Sequence, residues 1–200
     1  MRGSRIRLYL TRLMVVCILA ALATGAAYWS DGHPITEASL FTIGLALAGI
    51  GAAGRAWATS YISGQKLKQL VMTGPYSMCR NPLYFFSLLL GVGIAFCTET
   101  LTMPAVVAVA LLSLYYFQIR NEQRRMLAKF GARYKLYLDR VPCFIPSYRS
   151  FNEPDEITIS PRLLKRGFFG VAFLLLLIGL LELIEALHKT GWLPVFYPIY

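Results

Sequence analysis

The sequence contains few of the side chains that hold metal ions or form disulfides. Its two histidines, His33 and His188, lie far apart, and none of its four cysteines is close to another in the chain. A structural zinc site needs four ligands, usually Cys or His, at short spacings, and a disulfide framework needs paired cysteines. We therefore expect no metal cofactor and no disulfide framework.

Acidic residues are also scarce. Ten Asp and Glu stand against twenty Lys and Arg, which gives a formal net charge of +10. Such an excess can indicate nucleic-acid binding, but here the charge is segregated. Four arginines precede residue 13 and eleven Lys or Arg lie within residues 120–166, whereas residues 30–37 and 98–100 contain none. This alternation is the positive-inside pattern of membrane proteins, so membrane lipids, and not nucleic acid, are the expected partners.

Long apolar runs make up much of the chain. Hydrophobic residues account for 56% of it, the mean hydropathy is +0.54, and uncharged runs occupy residues 13–29, 38–54, 83–98, 100–119 and 167–181. A helix needs about 20 residues to cross the hydrocarbon core. The third run reaches this length only by starting at Asn81 or Pro82, and the fifth only by continuing to Leu187. The pattern predicts an all-α, multi-pass membrane protein with about five spans, a cytoplasmic N-terminus and a C-terminus on the opposite side.

The runs follow one another without an internal repeat or a long linker, so residues 1–200 are predicted to form one membrane-embedded domain. The short link at residues 98–101 predicts an antiparallel helical hairpin, and the small residues within 44–54 allow another helix to approach closely. Beyond the fourth run, apolar side chains recur every three or four residues and predict an amphipathic helix that ends before Pro142. They are Leu127, Phe130, Tyr134, Tyr137 and Val141.

Two charged residues at the membrane edge are candidates for catalysis. Arg80 immediately precedes the third span, and Glu122 lies where the fourth span leaves the membrane. Because these spans form a hairpin, both side chains belong to its cytoplasmic end and can meet there. Ionisable groups in such places are often functional, although an interfacial arginine that merely anchors its helix is the simpler interpretation of Arg80 alone.

The motifs around these two residues form a linked pattern. Gly74-Pro75-Tyr76 is followed after four residues by Asn81-Pro82-Leu83-Tyr84, then by the hairpin, Glu122 and Phe130-Gly131, with Val141-Pro142 and Ile145-Pro146 at the end. This order resembles the superfamily of isoprenylcysteine carboxyl methyltransferases and phospholipid N-methyltransferases. The resemblance covers roughly residues 68–146.

The resemblance implies a helical membrane methyltransferase that uses S-adenosylmethionine and acts on a lipid or lipid-linked acceptor. It places the cofactor at the cytoplasmic end of the helices, where a planar adenine, a cation and an amino-acid tail need aromatic walls, a carboxylate and hydrogen-bond donors. Arg80 and Glu122 are the predicted catalytic residues. The implied cofactor-binding residues are Lys68, Gln69, Leu70, Val71, Tyr76, Asn81, Pro82, Leu83, Tyr84 and Glu122.

Two positions depart from the superfamily pattern. The family's Arg-His-Pro is here Arg80-Asn81-Pro82, which lacks the titratable ring. The position four residues before the glutamate, an arginine facing the substrate carboxyl in the isoprenylcysteine enzymes, is here Gln118. Gln118 is therefore the candidate substrate-binding residue, and a prenylcysteine carboxylate is a less suitable acceptor. Arg120 belongs to a different helix face and is an imperfect replacement.

Two other functions remain open from the sequence. Membrane sterol reductases that use NADPH have a similar C-terminal helical arrangement with Asn-Pro motifs, but this chain has no evident second basic cluster for a 2′-phosphate beyond Arg124, Arg125 and Lys129. A non-catalytic membrane scaffold is the other alternative. In that case Tyr76, Tyr84 and Glu122 would only pack helices together.

Overall fold

The computed structural model describes residues 25–27, 34–62, 69–157, 159, 161–192, 194 and 197–199. Five helices account for most of these residues: α1 (Pro34–Ile62), α2 (Pro75–Met78), α3 (Pro82–Phe96), α4 (Thr102–Arg140) and α5 (Pro161–Lys189). A 3₁₀ turn spans Tyr148–Ser150, and strands β1 (Gly25–Ala27) and β2 (Tyr197–Ile199) pair in parallel. The predicted all-α class is thus correct for the bulk of the described chain.

Helices α1 and α3 pack with their backbones nearly touching. A Cβ atom on Gly44 would lie 2.7 Å from the amide nitrogen of Cys97, and one on Gly51 would lie 2.7 Å from Cα of Leu90. Gly93 on α3 faces Ala48 on α1 equally closely. The small residues that predicted a close helix neighbour therefore contact α3, and any larger side chain at these positions would push the two helices apart.

The predicted hairpin is formed by α3 and α4. Residues 97–101 connect the two helices, and Glu99 in this turn has a φ of 56°, which non-glycine residues rarely adopt. Glu99 is also buried, and burial, followed by the charge of Glu185, raises its pKa to about 8. We call this the far end of the bundle. The other end, where α1 stops and α3 begins, is the cavity end.

The amphipathic helix predicted beyond the fourth run is present as the second part of α4, but it does not continue straight. Gly131 has φ 51° and ψ −126°, a conformation open essentially to glycine alone, and interrupts the helix. After this break Tyr134 and Tyr137 are buried in a cluster with Leu70 and Val141. The end of α4 therefore packs against the segment that leads from α1 to α3.

That segment is held by backbone hydrogen bonds to the chain after α4. The Gly74 amide donates to the carbonyl of Asn152 (2.7 Å), the Arg80 amide to that of Pro142 (2.9 Å), and the Ser147 amide to that of Met78 (3.0 Å). Gly74 has a φ of 58°, and a Cβ there would strike the ring of Tyr61. The first position of the Gly-Pro-Tyr motif thus requires glycine, and backbone hydrogen bonds hold this turn against the chain after α4.

The surface of the bundle is apolar where lipid would contact it. Large hydrophobic side chains such as Val109 (66% exposed) and Phe117 (67%) lie on the outside of α4. Among the described residues, α1 and α4 are long and apolar enough to cross a membrane, and α3 is a shorter apolar helix of 15 residues. The two long apolar helices and these apolar outer faces indicate a membrane protein.

The first and fifth predicted spans differ in how much of each the structure describes. The fifth run lies within α5, a helix of 29 residues. The first run falls outside the described residues except for Gly25–Ala27, which form strand β1 instead of the expected helix. Their pairing with Tyr197–Ile199 supplies hydrogen bonds to the backbone there, and Gly25 has a low helix propensity.

The contact between α1 and α3 can be tested with two glycines of the same helix. Gly51→Ala should lower the free energy of unfolding by about 1 to 3 kcal/mol, because the added methyl group overpacks the contact with Leu90 and Phe86. Thermal unfolding of the detergent-purified protein measures this loss. Gly49→Ala is the matched control, since a Cβ at Gly49 meets nothing within 4 Å. Equal melting temperatures for the two variants would contradict the described packing.

Candidate functional site

A cavity of about 510 Å³ opens at the cavity end of the bundle. The start of α3 and the middle of α4 form two of its walls, and the segment before α2 forms a third. The returning end of α4 closes it through Tyr134 and Tyr137. Its volume is in the usual range for a site that binds a small molecule.

The structure brings the predicted site residues together around this cavity. Lys68 lies outside the described residues, and every other predicted residue contributes to the lining. These are Gln69, Leu70, Val71, Tyr76, Arg80, Asn81, Pro82, Leu83, Tyr84, Gln118 and Glu122. The residues come from three separate stretches of sequence, so their convergence follows from the hairpin and from the clamped turn before it.

The carboxylate of Glu122 is oriented by the opposite helix of the hairpin. The Tyr84 hydroxyl donates a hydrogen bond to Oε2 of Glu122 over 2.9 Å, and the Tyr84 ring packs on that of Tyr115 with centroids 4.9 Å apart. The carboxylate of Glu122 therefore lies next to a pair of packed tyrosine rings at the cavity. Such a combination attracts an organic cation through both the charge and the ring quadrupoles.

Two polar atoms in the cavity wall have no hydrogen-bond partner within the described part of the chain. They are the hydroxyl oxygen of Tyr76 and Nε of Arg80, and both are buried. Burial, with a further contribution from the charge of Glu122, raises the pKa of Tyr76, so its hydroxyl keeps its proton and remains a donor. Leaving a buried donor unpaired costs about 1 to 3 kcal/mol, which a polar ligand in the cavity would recover.

Other side chains around the cavity have structural roles. The Asn81 amide donates to the carbonyl of Cys143 over 2.8 Å and so ties the start of α3 to the chain after α4. The Tyr137 hydroxyl donates to the carbonyl of Tyr76 over 2.7 Å. Burial raises the pKa of Cys79 to about 11, which keeps its thiol protonated and unsuited to act as a nucleophile.

Arg55 is a cavity residue that the sequence pattern did not identify. It follows the apolar run at residues 38–54, but α1 continues to Ile62, so the arginine lies inside the helix and not at its end. Its guanidinium donates to the hydroxyl of Ser87 on α3, and both side chains line the cavity together with Tyr115. A charged residue within an apolar helix was the available signal, because such residues usually face a polar cavity.

The substitute that the sequence suggested for the missing arginine does not reach the site. Arg120 is exposed and is absent from the cavity lining; its guanidinium carbon lies 4.8 Å from the centroid of the Tyr116 ring. Arg55 on α1, and not Arg120, therefore supplies a positive charge to the cavity lining. Gln118 lines the same cavity from α4.

These features define a helical membrane protein with a cavity of small-molecule size, lined by both apolar and polar side chains, at one end of a hairpin. The family model for phospholipid methyltransferases matches residues 36–133, a range that covers nearly all of α1, the whole of α3, and α4 as far as residue 133, including Glu122. The chain belongs to this family of membrane methyltransferases, as the linked motifs predicted.

Two relatives are similar over nearly the whole chain. The nickel-cobalt-cadmium resistance protein NccN of Alcaligenes xylosoxydans xylosoxydans is 32% identical over 193 residues, which cover 96% of this chain and 89% of the relative. The cobalt-zinc-cadmium resistance protein CzcN of Cupriavidus metallidurans is 33% identical over 188 residues, covering 94% and 86% respectively. No solved structure matches the chain significantly.

Proposed function

We propose that this protein transfers a methyl group from S-adenosylmethionine to a lipid or lipid-linked acceptor at the membrane. The observation that supports this function best is the set of Tyr76, Arg80, Tyr84 and Glu122 around one cavity, with unpaired polar atoms on Tyr76 and Arg80. Family membership supplies the reaction class. The cavity supplies the residues for the cofactor.

The donor set fits the cofactor part by part. The rings of Tyr76 and Tyr84 offer walls for an adenine and faces for a cation. Glu122 offers the negative charge that favours the positively charged end, and Arg80 offers donors for a carboxylate. When bound, the cofactor supplies a methyl group activated by the positive charge of its sulfonium.

The protein itself would act mainly by positioning. Transfer to an acceptor that is already a nucleophile requires little proton movement, so most of the rate gain comes from alignment and from the exclusion of water. Leu83 and Met126 line the cavity with apolar surface, which excludes water. The fixed hydrogen bond between Tyr84 and Glu122 holds the charged wall in place.

We further propose five spans, with the cavity end cytoplasmic and the far end on the opposite side. The part of α4 from residue 120 to 140 carries seven Lys or Arg, and such residues are enriched in cytoplasmic segments near span ends. A cytoplasmic cavity is reached directly by a water-soluble cofactor. The acceptor lipid would approach from the bilayer.

Reporter fusions test this topology. A reporter fused after Arg140 should give a cytoplasmic signal, and one fused after Lys189 should give an external signal. The physical reason is the asymmetry of Lys and Arg between the two ends. A cytoplasmic signal after Lys189 would remove one span and reject the proposed orientation.

Cofactor binding tests the methyltransferase function directly. Isothermal calorimetry on the detergent-purified protein should give a dissociation constant for S-adenosylhomocysteine below about 1 mM, which corresponds to roughly 4 kcal/mol. Glu122→Gln and Arg80→Ala should each weaken binding about tenfold to a hundredfold, because a hydrogen bond to a charged group contributes roughly 1.5 to 3 kcal/mol.

The controls separate a misplaced cofactor from a wrong function. Arg124→Ala removes an exposed charge that does not line the cavity, so it should bind nearly as well as the parent. Unchanged affinity in Glu122→Gln would show that the cofactor lies elsewhere. Absence of any binding would reject the methyltransferase, and binding of NADPH in its place would favour the reductase.

The charge of Arg55 bears on the acceptor. Its guanidinium lines the cavity beside Ser87. The position that holds a substrate-facing arginine in the isoprenylcysteine enzymes is occupied here by the neutral Gln118. We infer that the acceptor carries an anionic group, a carboxylate or a phosphate, that pairs with Arg55. The relatives are named for resistance to nickel, cobalt, zinc and cadmium, so we propose that the acceptor belongs to the envelope of cells exposed to such metals.

The acceptor inference can be tested with radiolabelled cofactor and membranes from cells grown with cobalt. Arg55→Gln should lower the labelled lipid by about tenfold while leaving the affinity for S-adenosylhomocysteine unchanged, because the lost ion pair involves only the acceptor. Arg120→Ala is the control and should label lipid as the parent does. Full labelling in Arg55→Gln would exclude an anionic group at this position.

A further inference from the structure

Three carboxylates converge at the far end of the bundle, opposite the cavity. Glu37 belongs to the first turn of α1, Glu99 to the turn between α3 and α4, and Glu185 to the last turns of α5. One carboxylate oxygen from each lies within 4.8 Å of the other two. Three separate elements thus bring three carboxyl groups together, and ionising all of them at once is costly unless a positive charge lies between them.

The buried member of this carboxylate cluster, Glu99, is incompletely satisfied. Glu99 is only 7% exposed, the nearby carboxyl group of Glu185 contributes to its raised pKa, and its Oε2 has no hydrogen-bond partner among the residues the structure describes. Oε1 of Glu37 is also buried without a partner. Buried acceptors of this kind are stabilised by a cation or a donor that fills the space between them.

Lys189 is the cation that the structure places against the cluster. Its Nζ lies 2.5 Å from Oε1 of Glu185 and 3.6 Å from Oε2 of Glu37, and no ion pair joins it to Glu99 in the described chain. The lysine side chain is about half exposed, at 47%. The single ammonium group of Lys189 therefore leaves Glu99 without an ion pair among the described residues. Because the lysine side chain is half exposed, its ammonium group can move into solvent without crossing the protein.

We propose that Glu37, Glu99 and Glu185 form a binding site for a divalent transition-metal cation, which replaces Lys189 among the carboxylates. Oxygen ligands bind divalent cations at roughly 2.0 to 2.6 Å, so two ligands on opposite sides of one ion are about 4 to 5 Å apart. Oxygens within 4.8 Å of one another meet this requirement with side-chain adjustment alone. Water completes the coordination on the exposed side.

The chemistry of the site favours some ions over others. Three carboxylates accept many divalent cations, and the general affinity order places cobalt and nickel above manganese. Magnesium retains its water and requires near-ideal octahedral geometry, so it should bind more weakly. The expectation of no metal rests on the scarcity of His and Cys. That scarcity says nothing about carboxylates from distant parts of the chain, which only the fold brings together.

Calorimetric titration of the full-length, untagged protein with cobalt chloride tests the site. We expect one cobalt ion per chain, and at least tenfold weaker binding for Glu99→Gln, which keeps the shape of the side chain and removes its charge. Glu182→Gln, an exposed carboxylate on the same helix as Glu185, should bind cobalt like the parent. Magnesium should compete only at much higher concentration.

A second variant keeps the test decisive if Glu99→Gln does not fold. Lys189→Gln removes the competing ammonium and should bind cobalt several-fold more tightly than the parent, a gain that a damaged protein would not show. Unchanged cobalt affinity in both Glu99→Gln and Lys189→Gln would overturn the proposed site. Affinity for S-adenosylhomocysteine, measured on the same samples, reports on the cavity separately, so failure at one end does not count against the other.

Discussion

The close contact between α1 and α3 is the constraint on which the rest of the molecule depends. Because Gly44, Gly51 and Gly93 leave no side chain between the two backbones, the helices stay together along their whole shared length. This contact fixes both ends at once. It places Arg55 beside Ser87 at the cavity end, and it brings the first turn of α1 to the turn between α3 and α4 at the far end.

The two ends of the bundle differ in how their polar groups are satisfied. At the cavity end, the donors of Tyr76 and Arg80 are buried without acceptors within the described chain, next to the carboxylate of Glu122. At the far end, carboxyl oxygens of Glu37 and Glu99 are buried without a hydrogen-bond partner among the described residues. Unpaired polar atoms lower the stability of a fold, so ligands that pair with them stabilise the folded protein, by a free energy that grows with the logarithm of ligand concentration above the dissociation constant.

Features encoded by neighbouring residues could be predicted from the sequence. The hairpin, the helix beyond the fourth run and the position of Arg80 and Glu122 at one end all follow from apolar runs, a short link and proline positions. The resemblance of the linked motifs to the methyltransferase superfamily gave the residues that now line one cavity, from Gln69 to Glu122. That those residues bind the cofactor is still a prediction.

Features that depend on contacts between distant segments were not predictable in this way. In the sequence Arg55 only follows the apolar run at residues 38–54, and nothing local shows that α1 extends to Ile62 or that Ser87 lies opposite. The break at Gly131 is visible only in its φ and ψ angles, because the periodic pattern of apolar residues continues through this position. The convergence of Glu37, Glu99 and Glu185 depends on three elements that are far apart in the chain.

The shortness of α3 has a consequence for where the reaction partners meet. Fifteen residues at 1.5 Å each give a helix of about 22 Å, whereas the hydrocarbon core of a bilayer is about 30 Å thick. In the proposed five-span topology α3 crosses the bilayer, so the bilayer around it must become thinner, or the polar residues that precede the helix must lie below the headgroup layer. Either response reduces the depth that separates Arg80 and Tyr84 from the acyl chains. A lipid could then present its headgroup to the cavity without leaving its own leaflet, and the cost of extracting it from the membrane would be avoided.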